Sequence, residues 1–381
     1  MSDSVTPRNA TEAAAALAGA AAQRRPVRIS GGGTKLGWGG AVQAGALRLR
    51  TELLRGVLIH TDDPHSATLG AGTPLANAQA QLARSGMMLA VDPQLGLGLN
   101  PAATVGGVIA TADSGPLSHC YGPPCAQLIG VSLALCTGKV IQTGRRTAPS
   151  PSGYDLAKLA TGSFGTLGIL LSVEVRLHPL PSQTATAFGS TSDPQLLGAA
   201  GVKLARTLSG MQAFDVAWRG GFGGLLAQFA GSDATVRAAA AAEAMSAAGL
   251  SNADSRADDS STWVSQRAGQ RSADRAVLRI HAKRRQLGAV LRLAADAEGD
   301  VVGRAALGVC YLTLNVNRIT SVRAGLPEGC SAVVLDLPQS ARGVVDSWGT
   351  PEGPELQLMR EIKQNFDPAG VCNPGVFVGG I

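Results

Sequence analysis

Ala103-Thr104-Val105-Gly106-Gly107-Val108-Ile109-Ala110-Thr111 runs on to Ser114-Gly115 and Tyr121-Gly122. A second glycine patch follows: Gly153-Tyr154-Asp155-Leu156, then Gly162-Ser163-Phe164-Gly165-Thr166-Leu167-Gly168-Ile169, which opens the strand-like run Leu170 to Leu177. Glycines this dense beside β-branched runs bring bare backbone against something flat or charged. A large cofactor meets that description. Upstream, the short strand Val27-Arg28-Ile29 leads into Ser30-Gly31-Gly32-Gly33-Thr34-Lys35. That loop offers consecutive unobstructed N–H groups, a hydroxyl and an ammonium, the donor set of a pyrophosphate nest. It lacks the GxxxxGK[ST] spacing of a Walker loop, and no GxGxxG opens a βαβ unit, so a Rossmann NAD site is disfavoured.

Outward from these loops, the N-terminus reads as a helix capped by Thr11 with Glu12 in its first turn. Val57 to Ile59 and Ala67 to Gly72 read as strands, followed by a helix from Pro74 to Arg84 with Gly86 at its exit. Leu128 to Leu135 and Val140 to Thr143 form a hairpin through Thr137-Gly138-Lys139, and polar, Pro-rich Arg145 to Ser152 is a loop. Past Pro179 and Pro181 the composition shifts. Strands at Met211 to Trp218 and Leu225 to Phe229 and an Ala-rich helix over Val236 to Ala248 predict a second domain, with Ser251 to Thr262 as a loop. Glu355 to Asn365 is an amphipathic helix stopped by Phe366-Asp367-Pro368, and Asn373-Pro374-Gly375 is a turn. No internal repeat stands out in the sequence.

A chain of 381 residues is too long for one small core. Apolar residues make up 45% but aromatics only 4%, so small side chains must fill the interior. The net charge of +6 and pI near 9.2 come from scattered residues, with one short cluster at Lys283-Arg284-Arg285, so no nucleic-acid partner is expected. Six cysteines without a CxxC pair, and no secretory h-region, point to a reducing cytoplasm. His119, Cys120 and Cys125 lack a second ligand pair at zinc spacing, so no metal is expected there. The apolar run Ala13 to Ala22 is far shorter than the ~20 residues of a membrane span.

The loop at Ser30 to Lys35, the ATVGG patch, the GSFGTLGI patch and the closing FDPAGVCNPG together resemble the FAD-binding domain of the vanillyl-alcohol oxidase and p-cresol methylhydroxylase type. The resemblance covers most of Val27 to Pro181 and returns at Met359 to Gly375. It implies an α+β fold: a two-subdomain FAD-binding domain over 1–181, a smaller α+β substrate or cap domain over 182–350, and a C-terminal segment, 351–381, returning to the FAD domain. It implies cofactor contacts from Ser30, Gly31, Gly32, Gly33, Thr34, Lys35, Pro93, Thr104, Gly106, Gly107, Ser114, Gly115, Tyr121, Gly122, Gly162, Gly165, Gly168, Ile169 and Asn373. Relatives that hold FAD covalently place a His in the first loop; Gly33-Thr34-Lys35 has none, which implies non-covalent FAD. Pro123-Pro124-Cys125-Ala126-Gln127 replaces the charged Arg-Asp step that is common after the Tyr-Gly pair.

The short length, Tyr154-Asp155-Leu156 and Trp263-Val264-Ser265-Gln266-Arg267 are most similar to the branch of that family that serves as flavin subunits of glycolate-oxidising complexes. That branch implies a small 2-hydroxy acid substrate, a second flavin subunit and an iron-sulfur subunit, with membrane association only through partners. Oxidising a 2-hydroxy acid requires a cation for its carboxylate and a base for its hydroxyl proton. Arg279, His281, Lys283 and Arg318 are the candidates in the second domain, and none singles itself out as the catalytic base. Metal-using relatives carry clustered histidines in that domain, whereas His281 is the only one past Pro179. A self-sufficient FAD oxidase of another small alcohol or hydroxy acid, and a flavin-carrying assembly subunit without turnover, remain the other two readings.

Overall fold

The computed structural model describes residues 4–60, 62–97, 102–144, 155–257, 259–349 and 353–381. The 145–152 loop, Gly153 and Tyr154 lie outside the described residues. The chain is α+β; among the described residues it has sheets of three, five and eight strands and a two-stranded pairing of Met87–Met88 with His178–Pro179.

The first helix, Ala10–Ala22, starts two residues earlier than a Thr11 cap implies. Asn9 is extended and its side chain accepts the Glu12 N–H at 2.9 Å, so the amide rather than the threonine hydroxyl is the cap. This helix packs on a parallel sheet ordered Ser4–Val5, Leu47–Arg50, Val27–Ser30. The C-terminus returns to the same place: Val27 N–H donates to Val371 O at 2.7 Å and Asn373 N–H to Val27 O at 2.9 Å. A five-stranded antiparallel sheet follows, ordered Val57–Ile59, Ser66–Gly70, Ile169–Arg176, Leu128–Ala134, Val140–Gln142. The helices Leu75–Ala83 and Val105–Thr111 bury Leu75, Leu82, Val105 and Ile109 in the core against it.

Eight further strands form one antiparallel sheet. Its elements run strand Thr184–Thr191, helix Pro194–Thr207, strands Ala213–Arg219 and Phe222–Ala230, helix Ala234–Ala247, strand Ser251–Arg256; then strand Ala276–His281, helix Leu287–Asp296, strands Asp300–Arg304 and Val309–Leu314, helix Ile319–Ala324, strand Ser331–Asp336. This is one βαββαβ unit used twice, joined edge to edge through Ala213–Arg219 and Asp300–Arg304. The duplication leaves one short trace in sequence, Asp215-Val216-Ala217-Trp218-Arg219 against Asp300-Val301-Val302-Gly303-Arg304. These two stretches pair antiparallel, so Asp215 lies opposite Arg304. The expectation of no repeat therefore fails at the level of topology. Ser251 to Thr262 is also not a loop: Ser251–Arg256 pairs with Thr184–Thr191 as the edge strand, and a helix begins at Ser260. An exposed edge strand has no buried face to impose an apolar alternation, which is why SNADSR reads as polar loop.

The helices of the repeats cover one face of this sheet, burying Phe214, Val216, Leu278, Ile280, Val290 and Leu291. The other face turns toward the glycine loops. Val277, Val302, Tyr311 and Leu335 pack there against Trp38, Phe164 and Val376.

Candidate functional site

A single cleft is lined by Ser30, Gly31, Gly32, Gly33, Thr34, Lys35, Thr104, Gly106, Gly107, Gly165, Gly168 and Asn373 together with Trp38, Phe164 and Val376. Thr104 caps the Val105–Thr111 helix, its hydroxyl accepting the Gly107 N–H at 3.2 Å. The glycines are there because backbone meets backbone. A methyl on Gly31 would overlap the Thr104 hydroxyl, one on Gly32 the Ala102 carbonyl, and one on Gly106 would come within 2.7 Å of the Ala71 methyl. Asn373 closes the far end, accepting the Ile29 N–H at 2.7 Å and donating to Phe164 O at 2.7 Å.

Lys35 does not leave its ammonium free for an anion. It sits 3.0 Å from Asp113 Oδ2, with both side chains buried. The loop is also strapped from the large sheet. Arg271 pairs with Asp336 at 2.6 Å through Nε, donates from Nη2 to Thr34 O at 3.0 Å, and lies over the Trp38 ring, whose Nε1 donates to Asp336 at 2.9 Å.

The other expected residues fall elsewhere. Ser114 and Gly115 form the interface with the large sheet: Tyr311 Oη and Gln270 Nε2 donate to Ser114 O at 3.4 and 3.3 Å, and Gly115 is pressed on the Asp92 carbonyl. Pro93 is buried beside Asp92. Tyr121 and Gly122 end a short helix, with the Tyr121 hydroxyl accepting from Gln212 at 3.4 Å. Gly162 backs onto the Val105–Thr111 helix through Ile109 O, and Ile169 is wholly inside the core. None of these seven lines the glycine cleft.

Of the four candidate catalytic residues, Arg279 lies directly across the sheet from Tyr311, whose hydroxyl reaches Ser114 O. His281 ends the same strand, Lys283 opens a short 3-10 turn, and Arg318 is exposed on another. Trp38, Tyr311, Gln270, Arg271 and Arg304 were not singled out by sequence. Scarcity was the available signal for two of them, since the chain has only three tyrosines and four tryptophans.

The Trp263-Val264-Ser265-Gln266-Arg267 segment is the staple between the two halves. It lies on the helix Ser260–Ala268; Trp263 Nε1 donates to Thr186 Oγ1 at 2.8 Å, Gln266 Nε2 to Asp215 Oδ2 at 2.9 Å, and Arg267 Nη1 stands 3.5 Å from Asp92 Oδ2. Burial pushes the Asp92 carboxyl up to about 6, against the pull of Arg267, Arg304 and the Leu117 N–H. An unfolded Asp titrates well below that, so the folded chain keeps a proton that the unfolded chain releases. The resulting stabilisation is complete below the unfolded value and is lost as pH rises through 6. Denaturant titrations at pH 4 and 7 should therefore show the wild type losing ~2 kcal/mol relative to Asp92→Asn. A gap that does not change with pH refutes this assignment.

Around Ser114 several buried polar atoms have no hydrogen-bond partner among the described residues: Gln270 Oε1, Arg271 Nη1, Arg279 Nε, and Arg304 Nε and Nη2. Native interiors leave few such atoms. The glycine cleft fits a large polar cofactor, and Ser30 to Thr34, Thr104, Gly106 and Gly107 are the residues that would hold its diphosphate part.

Residues 4–144 match the family model described as FAD binding domain, and residues 350–377 match FAD linked oxidases, C-terminal domain. The mitochondrial D-lactate dehydrogenase [cytochrome] of Arabidopsis thaliana is 29% identical over 209 residues, 55% of this chain and 35% of that protein. The glycolate oxidase subunit GlcE of Escherichia coli is 29% identical over 162 residues, 42% of this chain and 45% of that protein. The matched part thus spans less than half the length of these relatives. Among solved structures, an alkyldihydroxyacetonephosphate synthase superposes over 97% of this chain and 76% of its own, with a TM-score of 0.68 at 16% identity, a likeness of fold. Together with the glycine cleft, these matches show that the chain carries an FAD binding domain and the C-terminal domain of FAD linked oxidases, with FAD as its cofactor.

Proposed function

We propose that the chain oxidises glycolate, or a close 2-hydroxy acid, as the FAD-binding subunit of a cytoplasmic complex that passes electrons to a second flavin subunit and an iron-sulfur subunit. Residues 1–181 with 351–381 form its FAD domain and 182–350 its cap. The observation that carries the reading is the pair of guanidinium groups beside Tyr311 on the cap sheet whose buried nitrogens are left unpartnered among the described residues: Arg279, directly across from it, and Arg304, which lies 5.7 Å over its ring. The names of the D-lactate and glycolate relatives support the same substrate class.

Bound FAD supplies the two-electron acceptor. The chain's own residues seat the acid. Arg279 offers its free guanidinium edge to the carboxylate, a charge-assisted pairing that fixes the α-carbon. Tyr311, across the sheet from Arg279, donates its hydroxyl to Ser114 O, and burial, with Asp113 nearby, pushes that phenol up, so it stays a neutral donor. FAD is held without a covalent bond, since neither His nor Cys occurs in Gly31 to Lys35.

Anaerobic mixing of the FAD-loaded chain with glycolate, followed through the visible flavin band, tests this. The band should bleach, and Arg279→Ala should slow bleaching about 100-fold, as expected for ~3 kcal/mol from a lost hydrogen-bonded charge. If no 2-hydroxy acid bleaches the chain, alone or with partner subunits added, the catalytic reading falls and the assembly-subunit reading replaces it. Rapid turnover of the chain alone with an artificial acceptor favours the self-sufficient enzyme.

A further inference from the structure

The duplicated sheet gives the face at Arg279, Tyr311 and Arg304 a counterpart on the first repeat. The pairings fix the equivalence. Asp215 to Arg219 matches Asp300 to Arg304, so Arg219 stands for Arg304 and Ala217 for Val302. Ala217 pairs with Gly224 as Val302 pairs with Tyr311, so Gly224 stands for Tyr311. Gly224 in turn pairs with Ser190 as Tyr311 pairs with Arg279. Where the second repeat places a tyrosine ring, the first places a hydrogen atom, and the space above it stays open.

That space is a cavity of about 570 Å³ walled by Phe188, Phe222, Arg219, Arg256 and the start of the Ser260–Ala268 helix, with Ala217 and Gly224 as its floor. Its size lies within the range of small-molecule sites. Neither Arg219 nor Arg256 forms an ion pair among the described residues, and the Arg256 guanidinium lies 5.6 Å over the Phe188 ring, which orients it and leaves its N–H edge free. Asp259, the one carboxylate among the described wall residues, is already saturated: it accepts from Thr184 at 2.9 Å, Thr186 at 2.8 Å and Gln228 at 2.9 Å. Two available guanidinium groups beside two phenyl rings suit one ligand chemistry. We propose that this cavity is a second ligand site, separate from the flavin interface, for a small organic carboxylate with a flat apolar body. It is independent of the redox reaction assigned above.

Benzoate, titrated calorimetrically into the FAD-loaded protein, tests the site. The wild type should bind it saturably, and Arg219→Ala/Arg256→Ala should weaken binding at least tenfold while the flavin spectrum and thermal midpoint stay unchanged. Ala217→Leu, which fills the floor and keeps both charges, should give the same loss, and Arg279→Ala should retain binding. Absence of saturable binding, undiminished affinity in the double variant, or a loss confined to Arg279→Ala each overturns the proposal; the last places benzoate at the flavin interface instead.

Discussion

Gly32→Ala is expected to weaken FAD binding ten- to hundredfold, whereas Gly33→Ala, one residue later, changes it only a few-fold. The contrast separates two reasons for needing glycine. Gly33 has φ +73°, which an alanine tolerates at a cost of roughly 1 kcal/mol, and the added methyl meets only Leu36 Cδ1 at 3.5 Å. Gly32 has an ordinary backbone conformation, but its added methyl overlaps the Ala102 carbonyl. The loop must then lift away from the Ala102–Thr104 segment, carrying its N–H groups off the diphosphate. Overpacking of this kind costs about 1–3 kcal/mol, and here the strain falls on the binding loop itself. The ratio of visible flavin to protein absorbance after dialysis measures the effect, and apo-protein melting shows whether the fold survived. Full flavin retention in Gly32→Ala would move the dinucleotide away from this loop.

Those glycines were legible in the sequence because their signal is local: a missing Cβ has the same meaning wherever the chain goes. The sheets were legible for a similar reason, since Leu128–Ala134 and Ile169–Arg176 carry long apolar runs. What stayed hidden depended on partners far away. Tyr311 meets Ser114 across 197 residues and Arg271 meets Thr34 across 237, and nothing near either residue announces the encounter. Lys35 follows the glycines as a phosphate-binding lysine does, and only the fold shows Asp113 holding it. The duplication escaped because two copies of one topology need share only a period, not residues. The five-residue D-V-x-x-R echo survives at the seam where the copies pair, where each Asp lies across from the other copy's Arg end.

That seam carries the second large effect. Asp215 is fully buried, holds Arg304 at 2.6 Å and accepts from Gln266 at 2.9 Å. Removing it leaves a guanidinium only 1% exposed with no counter-charge, so Asp215→Ala should cost about 3–5 kcal/mol and lower the thermal midpoint by roughly 10 °C. Asp215→Leu/Arg304→Met removes both charges and should regain most of that loss, because a buried ion pair is seldom more stabilising than apolar residues of like volume. The two single-purpose explanations of Arg304 then part. If it serves only the seam, the double variant should bleach with glycolate at the wild-type rate. If its unpartnered Nε and Nη2 serve the substrate beside Tyr311, the double variant should regain most of the stability yet reduce its flavin at least tenfold more slowly, and the position of the guanidinium over the Tyr311 ring favours this second result. Stability and reduction rate lost together and restored together would return Arg304 to a purely structural role.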